Sequence, residues 1–592
     1  MARKNEEQLT FEFEPIKGFP MLNWKGKHPF KSTVYYPAQL KEKFGESKPY
    51  IDKNGNTTDW LNKIFWGDNL QVMSHLLKEF RGKVDLIYID PPFDSKADYK
   101  KVIELRGQTI SNDRTSFEEK QYSDIWANDD YLQFMYERFI LLRELLSDNG
   151  SIYVHCDWRK SHHLRLIMDE VFGPNKFRNE IVWCYSIGGK GDKQFARKHD
   201  TLLLFTKTSN YFFNGNDPLV ITERKENSHM KTKNDESGRA YQEKTDKKSG
   251  KVYRYYVDEG KIPEDYWTDI EQLNREDTER EGYPTQKPAR LLERIISASS
   301  IIGSIVFDCF MGSRTTQAVA MKLGRRFIGA DINLGAIQTT TNRLINVAKE
   351  TELGDERFTG FEVYNVNNYD VFRNPAEAKR ILLEALEIEP LDSSSVYDGE
   401  KDGRFYKIIP ADVNRIATKA DLEGFISNLP YNLFEKKKSE SLAEPVLKLT
   451  IVCMGHEPDL AAAIIQSLSK YQVDIQVQDV LADRKDLHFK RTSEGTLAIE
   501  EGKLIITSFY PLNLMQKLSM QRDNVEDWRQ LVDSIMIDFN YDGAVLSEPL
   551  VDLPEKNKLV KGIYDIPSNS GKIKVKITDL LSESLELETE VK

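Results

Sequence analysis

Along the chain, short apolar runs alternate with stretches in which apolar residues recur every three or four positions. Val84–Asp90 (VDLIYID) is mostly apolar and stops at Pro91-Pro92, the pattern of a buried parallel strand ended by residues that donate no N–H. Tyr131–Leu146 (YLQFMYERFILLRELL) has helical spacing; after the Asp148-Asn149-Gly150 turn, Ser151–Asp157 (SIYVHCD) predicts the next strand. His162–Phe172 predicts a helix ended by Gly173-Pro174, and Glu180–Tyr185 and Thr201–Thr206 predict further strands. Downstream, Ala289–Ser300 reads as a helix, Ser304–Phe310 as a strand, Thr315–Leu323 as a helix and Arg326–Asp331 as a strand. Strands alternating with helices of this length imply βαβ units and an α/β fold with a doubly wound, largely parallel sheet.

Three stretches break the alternation. Residues 1–62 mix Pro, Gly, Lys and aromatics without periodicity and read as an irregular lead-in. Residues 209–265 are charged, rich in turn formers and weakly periodic, which marks an insertion into the sheet domain. Past Asn374-Pro375, a helical Glu377–Glu387 leads to Leu447–Cys453, Val473–Val480, Lys503–Ile506 and Lys572–Ile577, a mixed α/β region expected to hold antiparallel strands. The predicted organisation is therefore a lead-in over 1–62, an α/β domain over 63–372 and a C-terminal domain over 373–592.

Composition narrows the class. The 592 residues are 40% hydrophobic and 30% charged with mean hydropathy −0.55, enough apolar material for large cores and too much for wholesale disorder. No uncharged apolar run approaches the ~18 residues of a membrane span, and the polar N-terminus lacks an apolar signal core, so a cytoplasmic protein without membrane attachment is expected. Cys156, Cys184, Cys309 and Cys453 lie far apart, in apolar surroundings, and suggest buried free thiols in a reducing compartment rather than disulfides or a metal site. Net charge is −11 and the pI about 5.6, so any binding to nucleic acid needs a local basic zone. Lys231, Lys233, Lys247, Lys248 and Lys251, interleaved with Tyr253 and other tyrosines, supply one within the insertion.

Two segments carry candidate chemistry. Asp90-Pro91-Pro92-Phe93 sits at the carboxyl end of a predicted buried strand, where ligands bind in open α/β sheets. A carboxylate, a proline carbonyl and an aromatic face suit a planar ring bearing an amino group: Phe93 stacks, while Asp90 and the Pro91 carbonyl accept the two N–H hydrogens. The plain alternative is a strand-ending turn. The second segment, Asp308-Cys309-Phe310-Met311-Gly312-Ser313-Arg314-Thr315-Thr316, follows a strand and opens a helix, with Asp331 ending the next strand. Glycine admits a ligand close to the backbone, and an acid at that place can take a ribose hydroxyl pair.

Together these segments resemble the β class of DNA amino-methyltransferases, with the catalytic motif first and the methyl-donor loop later. Trp66-Gly67-Asp68-Asn69, Ser151–Trp158, Asn179–Trp183, His199-Asp200 and Gly282–Pro288 (GYPTQKP) extend the resemblance over residues 60–350, which is similar to stand-alone and type III modification methylases. It implies a Rossmann-like methyltransferase sheet using S-adenosylmethionine, with Asp90, Pro91, Pro92 and Phe93 holding a flipped-out base. Asp308, Phe310, Gly312, Ser313, Thr315 and Thr316 would shape the donor pocket, Asp331 the ribose contact, and Asp68 and Asn69 the adenine end. Thr285, Gln286, Lys287 and Pro288 would close over the donor's methionine end. Aspartate in the motif implies N6-adenine, with N4-cytosine as the alternative.

The resemblance further implies double-stranded DNA as partner, the 209–265 insertion as target-recognition region, and a restriction-modification or phage-defence setting. A restriction or helicase subunit and a second copy of the chain are candidate partners. Asp94–Tyr122 reads as a second insertion beside the catalytic motif. His155, Cys156, His162 and His163 read as structural, and Asp68 and Asn69 serve equally well as a cap for a helix starting near Leu70. Arg314 departs from the family's glycine, which keeps open a recognition subunit with weak or no catalysis. The absence of any Pro-Cys dipeptide argues against a cysteine-nucleophile ring methylase, and the single Gly312 against a dinucleotide-dependent dehydrogenase.

Overall fold

The computed structural model describes residues 8–10, 19–36, 38–51, 55–92, 102–105, 108–111, 128–186, 193–224, 230–274, 277, 286–312, 315–350, 357–366, 383, 388–391, 395–409, 419–440, 445–453, 460–479, 493–511, 514–515, 527–543, 545–554, 558–581 and 583–591. Eleven strands build one sheet: β1 (Gln39–Phe44), β2 (Asn62–Trp66), β3 (Val84–Ile89), β4 (Leu146–Cys156), β5 (Phe177–Cys184), β6 (His199–Thr206), β7 (Tyr266–Trp267), β8 (Ile305–Asp308), β9 (Arg326–Asp331), β10 (Phe361–Asn365) and β11 (Leu546–Ser547). Their spatial order is β7-β5-β6-β4-β3-β8-β9-β2-β10-β1-β11. The six central strands from β4 to β10 are mutually parallel. β6 pairs antiparallel to β4 and β5, and β1 antiparallel to β10.

Alternation along the strands loads both faces with apolar side chains. Val84, Ile87, Ile89, Ile152, Val154, Phe307 and Ile328 enter one core with α1 (Asn69–Phe80), α2 (Asn128–Leu145) and α3 (Ser161–Phe172). Leu86, Tyr88, Tyr153, Val306 and Phe327 enter the other, against α4 (Ala289–Ser299), α5 (Thr315–Lys322) and α6 (Leu334–Lys349). Near-continuous apolar runs such as Val84–Ile89 are what two covered faces require. This is the doubly wound α/β sheet expected for a methyltransferase.

Two expectations change. The lead-in is not irregular: β1 lies within it as an inner strand of the sheet, flanked by β10 and β11. The C-terminal region is not one domain. The chain separates into one unit of residues 1–367 with 493–592 and a second of residues 368–492. In the second unit, Leu447–Cys453 and Val473–Asp479 pair in parallel, against the expected antiparallel arrangement, over a core of Leu449, Ile451, Phe425 and Ile464. Glu377–Glu387 lies outside the described residues apart from Leu383. Antiparallel pairing does hold for Lys503–Tyr510 and Lys572–Asp579, which belong to the first unit.

The return of the last hundred residues to the first unit has a clear physical cause. Met536 and Leu546 join the core beneath α6, and Asn342 on that helix donates to Asp533 (2.9 Å) and Ser534 (3.3 Å). Lys576 meets Glu42 of β1 in an ion pair whose side chains are only 9% and 11% exposed. Removing one partner of so buried a pair leaves the other charge uncompensated. Lys576→Ala is expected to destabilise the first unit by about 3 kcal/mol, and the double change Glu42→Gln with Lys576→Met to recover most of that loss. Urea unfolding of the three proteins checks both outcomes.

Candidate active site

The strand order reverses between β3 and β8: from β3 the chain runs outward to β4, and from β8 it runs the other way to β9. The carboxyl ends of two neighbouring strands therefore open a crevice at the switch point. Asp90 follows β3 and Asp308 ends β8, so the two sequence motifs meet in space although 218 positions separate them.

The loop after β8 is built around two carboxylates. Asp308 Oδ1 accepts from the Phe310 N–H (3.0 Å) and Oδ2 from the Thr316 hydroxyl (2.7 Å), which ties the loop to the first turn of α5. Asp331 Oδ2 accepts from the Gly312 N–H (2.8 Å) and Oδ1 from the Asn333 N–H (2.8 Å). Gly312 has φ +39°, and among the described residues a Cβ placed there would meet the Phe310 carbonyl first, at 3.7 Å. A positive φ of this kind suits glycine, which has no Cβ to strain it. Beneath the loop, Gly329 on β9 lets Met311 and Gln317 approach to where a Cβ would lie at 2.7 and 2.8 Å.

Lys287 joins the two motifs. Its carbonyl accepts from the Thr315 hydroxyl at the start of α5 (3.1 Å), and its ammonium contacts Asp90 Oδ2. Asp90 Oδ1 is buried and has no hydrogen-bond partner among the described residues. A carboxylate with one oxygen fixed and the other buried and open is poised to accept a hydrogen from a ligand. Gln286, Lys287 and Pro288 are buried beside α4, where the resemblance puts the closing segment.

At the other end, Asp68 is the N-cap of α1: its Oδ1 accepts from the Leu70 (2.9 Å) and Gln71 (3.2 Å) N–H groups. Its Oδ2 and Asn69 Oδ1 are held by Arg138 at 3.1 and 2.6 Å, and Asn69 Nδ2 donates to the Cys309 carbonyl (3.3 Å). Asp68 thus caps a helix, one of the two roles that the sequence left as alternatives, while its neighbour Asn69 reaches the loop. Arg138 escaped sequence reading; its one signal is a cation amid the apolar residues of Tyr131–Leu146. Phe93, Thr285, Ser313 and Arg314 lie outside the described residues, as does most of Asp94–Tyr122.

A buried polar chain flanks Asp90. The Tyr88 hydroxyl lies 2.9 Å from His155 Nδ1, and His155 Nε2 lies 3.2 Å from Asp200 Oδ2. Tyr185 donates to Asp200 Oδ1 at 3.3 Å. Burial opposes ionisation of Asp200, yet His155 and the charge of Lys287 hold its carboxyl below the usual range. Burial pushes the Tyr88 phenol well up, helped by Asp90, Asp308 and Asp200. His155 and Cys156 are fully buried; the His162 and His163 rings lie 4.0 Å apart on α3, tilted by 40°. All four cysteines are free, three buried and Cys184 half-buried.

The insertion is more ordered and less basic than expected. Thr232–Asn234, Ala240–Thr245 and Val252–Tyr256 form a three-stranded antiparallel sheet. Residues 209–265 hold eleven Lys and Arg against eleven Asp and Glu, so the segment as a whole is neutral. Lys233 is paired with Glu243, and Arg239 with Asp258 and Glu259. Positive charge remains at the exposed hairpin tip, with Lys247, Lys248 and Lys251, whose ammonium lies 5.1 Å from the Tyr253 ring. Lys231 is exposed beside the first strand.

Burial drives the Asp308 carboxyl up to about 7, against the hydrogen bonds from Thr316 and Phe310, with Asp90 and Asp331 adding to the rise. A carboxyl whose folded pKa lies above its unfolded value binds more protons when folded. Its contribution to stability is therefore largest at low pH and falls as pH rises from about 4 to about 7. Asp308→Asn keeps an acceptor for Phe310 and removes the charge. Its melting temperature is expected to fall less than that of the wild type between pH 5 and pH 7.5, as scanning calorimetry would record.

A family model described as DNA methylase matches residues 84–342. Type II methyltransferase M.EcaI of Enterobacter cloacae is 29% identical over 328 residues, covering 48% of this chain and 69% of that protein. DNA adenine methyltransferase YhdJ of Escherichia coli (strain K12) is 30% identical over 283 residues, covering 48% of this chain and 82% of that protein. The type III restriction-modification enzyme EcoP15I Mod subunit of Escherichia coli is 28% identical over 229 residues, 36% of this chain and 33% of that subunit. The matched stretch includes both strands of the switch point and both loops that follow them. The chain belongs to the DNA methylase family.

Proposed function

We propose that the protein transfers a methyl group from S-adenosylmethionine to the N6 amine of a flipped-out adenine in double-stranded DNA. The observation that carries this reading is Asp90, with Oδ2 engaged by Lys287 and Oδ1 buried and open among the described residues. An exocyclic aromatic amine is a poor nucleophile because its lone pair is delocalised into the ring. Accepting its N–H hydrogens at Asp90 Oδ1 and the Pro91 carbonyl favours a pyramidal nitrogen with the lone pair exposed. When bound, S-adenosylmethionine supplies an electrophilic methyl on sulfonium. Asp90 Oδ1 would then take the proton that the methylated amine sheds. The Asp308 loop would hold the cofactor, with Asp331 toward the ribose and Asp68 and Asn69 toward the adenine end.

Aspartate in the motif and the similarity to a DNA adenine methyltransferase support adenine over cytosine N4. No described helix is long and apolar enough to cross a membrane, which accords with work on DNA in the cytoplasm. The similarity to a type III Mod subunit supports a restriction-modification or phage-defence role and a restriction subunit as partner. A homodimer is a further candidate assembly. Single-molecule sequencing of DNA from cells expressing the protein tests the whole reading: N6-methyladenine at one motif is expected, N4-methylcytosine would move the specificity, and unmodified DNA would overturn it.

Two variants dissect the site. Asp90→Ala is expected to leave donor affinity within about twofold and to lower single-turnover transfer roughly a thousandfold. Lys287→Ala is expected to lower transfer at saturating donor about a hundredfold with donor affinity nearly unchanged, and Lys287→Arg to recover part of the rate. Weakened donor binding with an unchanged transfer rate would instead assign Lys287 to the cofactor alone.

A further inference from the structure

The balanced charge of the insertion leaves open what else grips the substrate. At the carboxyl edge of the sheet, on the side of the candidate active site, the described residues present large aromatics to solvent. Trp158 is 41% exposed and Phe195 is 99% exposed, the most exposed of the large apolar side chains. The Arg197 guanidinium lies 3.7 Å from the Trp158 ring centre. Arg197 is itself exposed, and no carboxylate lies within ion-pair reach of it among the described residues; Arg159, by contrast, is spent on Asp157 at 2.6 Å. Lys193 is also exposed.

Strand register fixes where this patch sits. Val154 of β4 faces Ile89 of β3, and His155 faces Leu202 of β6, so Asp90 lies one step beyond Ile89, level with His155. Trp158 comes three residues after His155, and Arg197 three before Asp200. Since His155 and Asp200 are bonded to each other, the Trp158–Arg197 pair lies just beyond the same strand ends as the Tyr88–His155–Asp200 chain and Asp90.

We infer that Trp158, Phe195 and Arg197, with Lys193, form the surface that grips duplex DNA around the extruded base. This rests on the DNA methyltransferase reading above and adds a named contact surface to it. A fully exposed phenylalanine has no folding benefit; beside a site that takes a base out of its stack, it gains a partner in the bases left unstacked. A guanidinium stacked on an indole is pre-oriented and keeps its N–H groups free for phosphate oxygens. An acidic protein needs such a local concentration of cations.

The test uses the full chain and two fluorescent 30-base-pair probes, one fully paired and one with a central three-base mismatch bubble, each titrated at several salt concentrations. Lys193→Gln with Arg197→Gln is expected to weaken both probes about tenfold or more and to flatten the log-affinity against log-salt slope by about two. Trp158→Ala with Phe195→Ala is expected to weaken the bubble probe about tenfold or more with the slope retained. Donor affinity by calorimetry and the melting temperature, both unchanged, show that the variants fold, and Trp158→Phe is expected to keep most of the binding. Bubble-probe affinity of the aromatic double variant equal to wild type overturns the proposal, whatever the charge variants do. Failure of the wild-type protein to bind either probe would instead strike the methyltransferase reading itself.

Discussion

Everything distinctive about this protein depends on bringing carboxylates together at the dry ends of parallel strands. Asp90, Asp308 and Asp331 follow or end three neighbouring strands, β3, β8 and β9. Like charges so placed repel, and each is held in a different way: Asp308 by a hydroxyl and a backbone N–H, Asp331 by two backbone N–H groups, and Asp90 by the Lys287 ammonium. The loop conformations are the by-product of these solutions. Gly312 turns where it does because its N–H is needed by Asp331, and Thr316 opens α5 with its hydroxyl on Asp308. A cluster of desolvated acids costs folding free energy, and such a cost is tolerated where it preorganises a site for a cationic or amine-bearing ligand.

Lys287 changes how the three acids act together. Its carbonyl is tied to Thr315 on one side of the crevice and its ammonium to Asp90 on the other. One residue therefore braces both halves of the crevice, and displacement of either half is felt by the other. The Tyr88–His155–Asp200–Tyr185 chain stiffens the outer wall, because each member fills a hydrogen-bonding position that would otherwise be buried and unmet.

Much of this was legible beforehand. Strand and helix periodicity located the central elements within a few residues, and Arg326–Asp331 and Leu447–Cys453 came out as the strands themselves. Motif order placed Asp90 and the Asp308 loop on the right strand ends. What escaped was tertiary. Gln39–Phe44 (QLKEKF) alternates too weakly to announce a strand, and it becomes one because β10 and β11 lie on either side of it. Arg138 could not be read beforehand, because Asp68 and Asn69, which receive its guanidinium, lie about 70 positions away in the chain. The lysines of the insertion suggested a basic surface, since pairing with Glu243 cannot be read from spacing. Chain order also misled the domain assignment: residues 493–592 follow the second unit in sequence yet fold with the first.

That last feature governs the order in which the molecule can be assembled. Strand β1 emerges from the ribosome early, but its neighbour β11 and the ammonium that neutralises Glu42 come roughly five hundred residues later. At ribosomal speeds of about 5–20 residues per second, the β1 edge stays open for tens of seconds. During that time it offers unpaired backbone groups to any other strand, and a buried carboxylate awaits its counter-ion. The lysines and glutamate of QLKEKF (Lys41, Glu42, Lys43) are then more than surface decoration. Charged side chains on an open edge discourage pairing with the wrong chain, and they hold the place until the sheet can be completed.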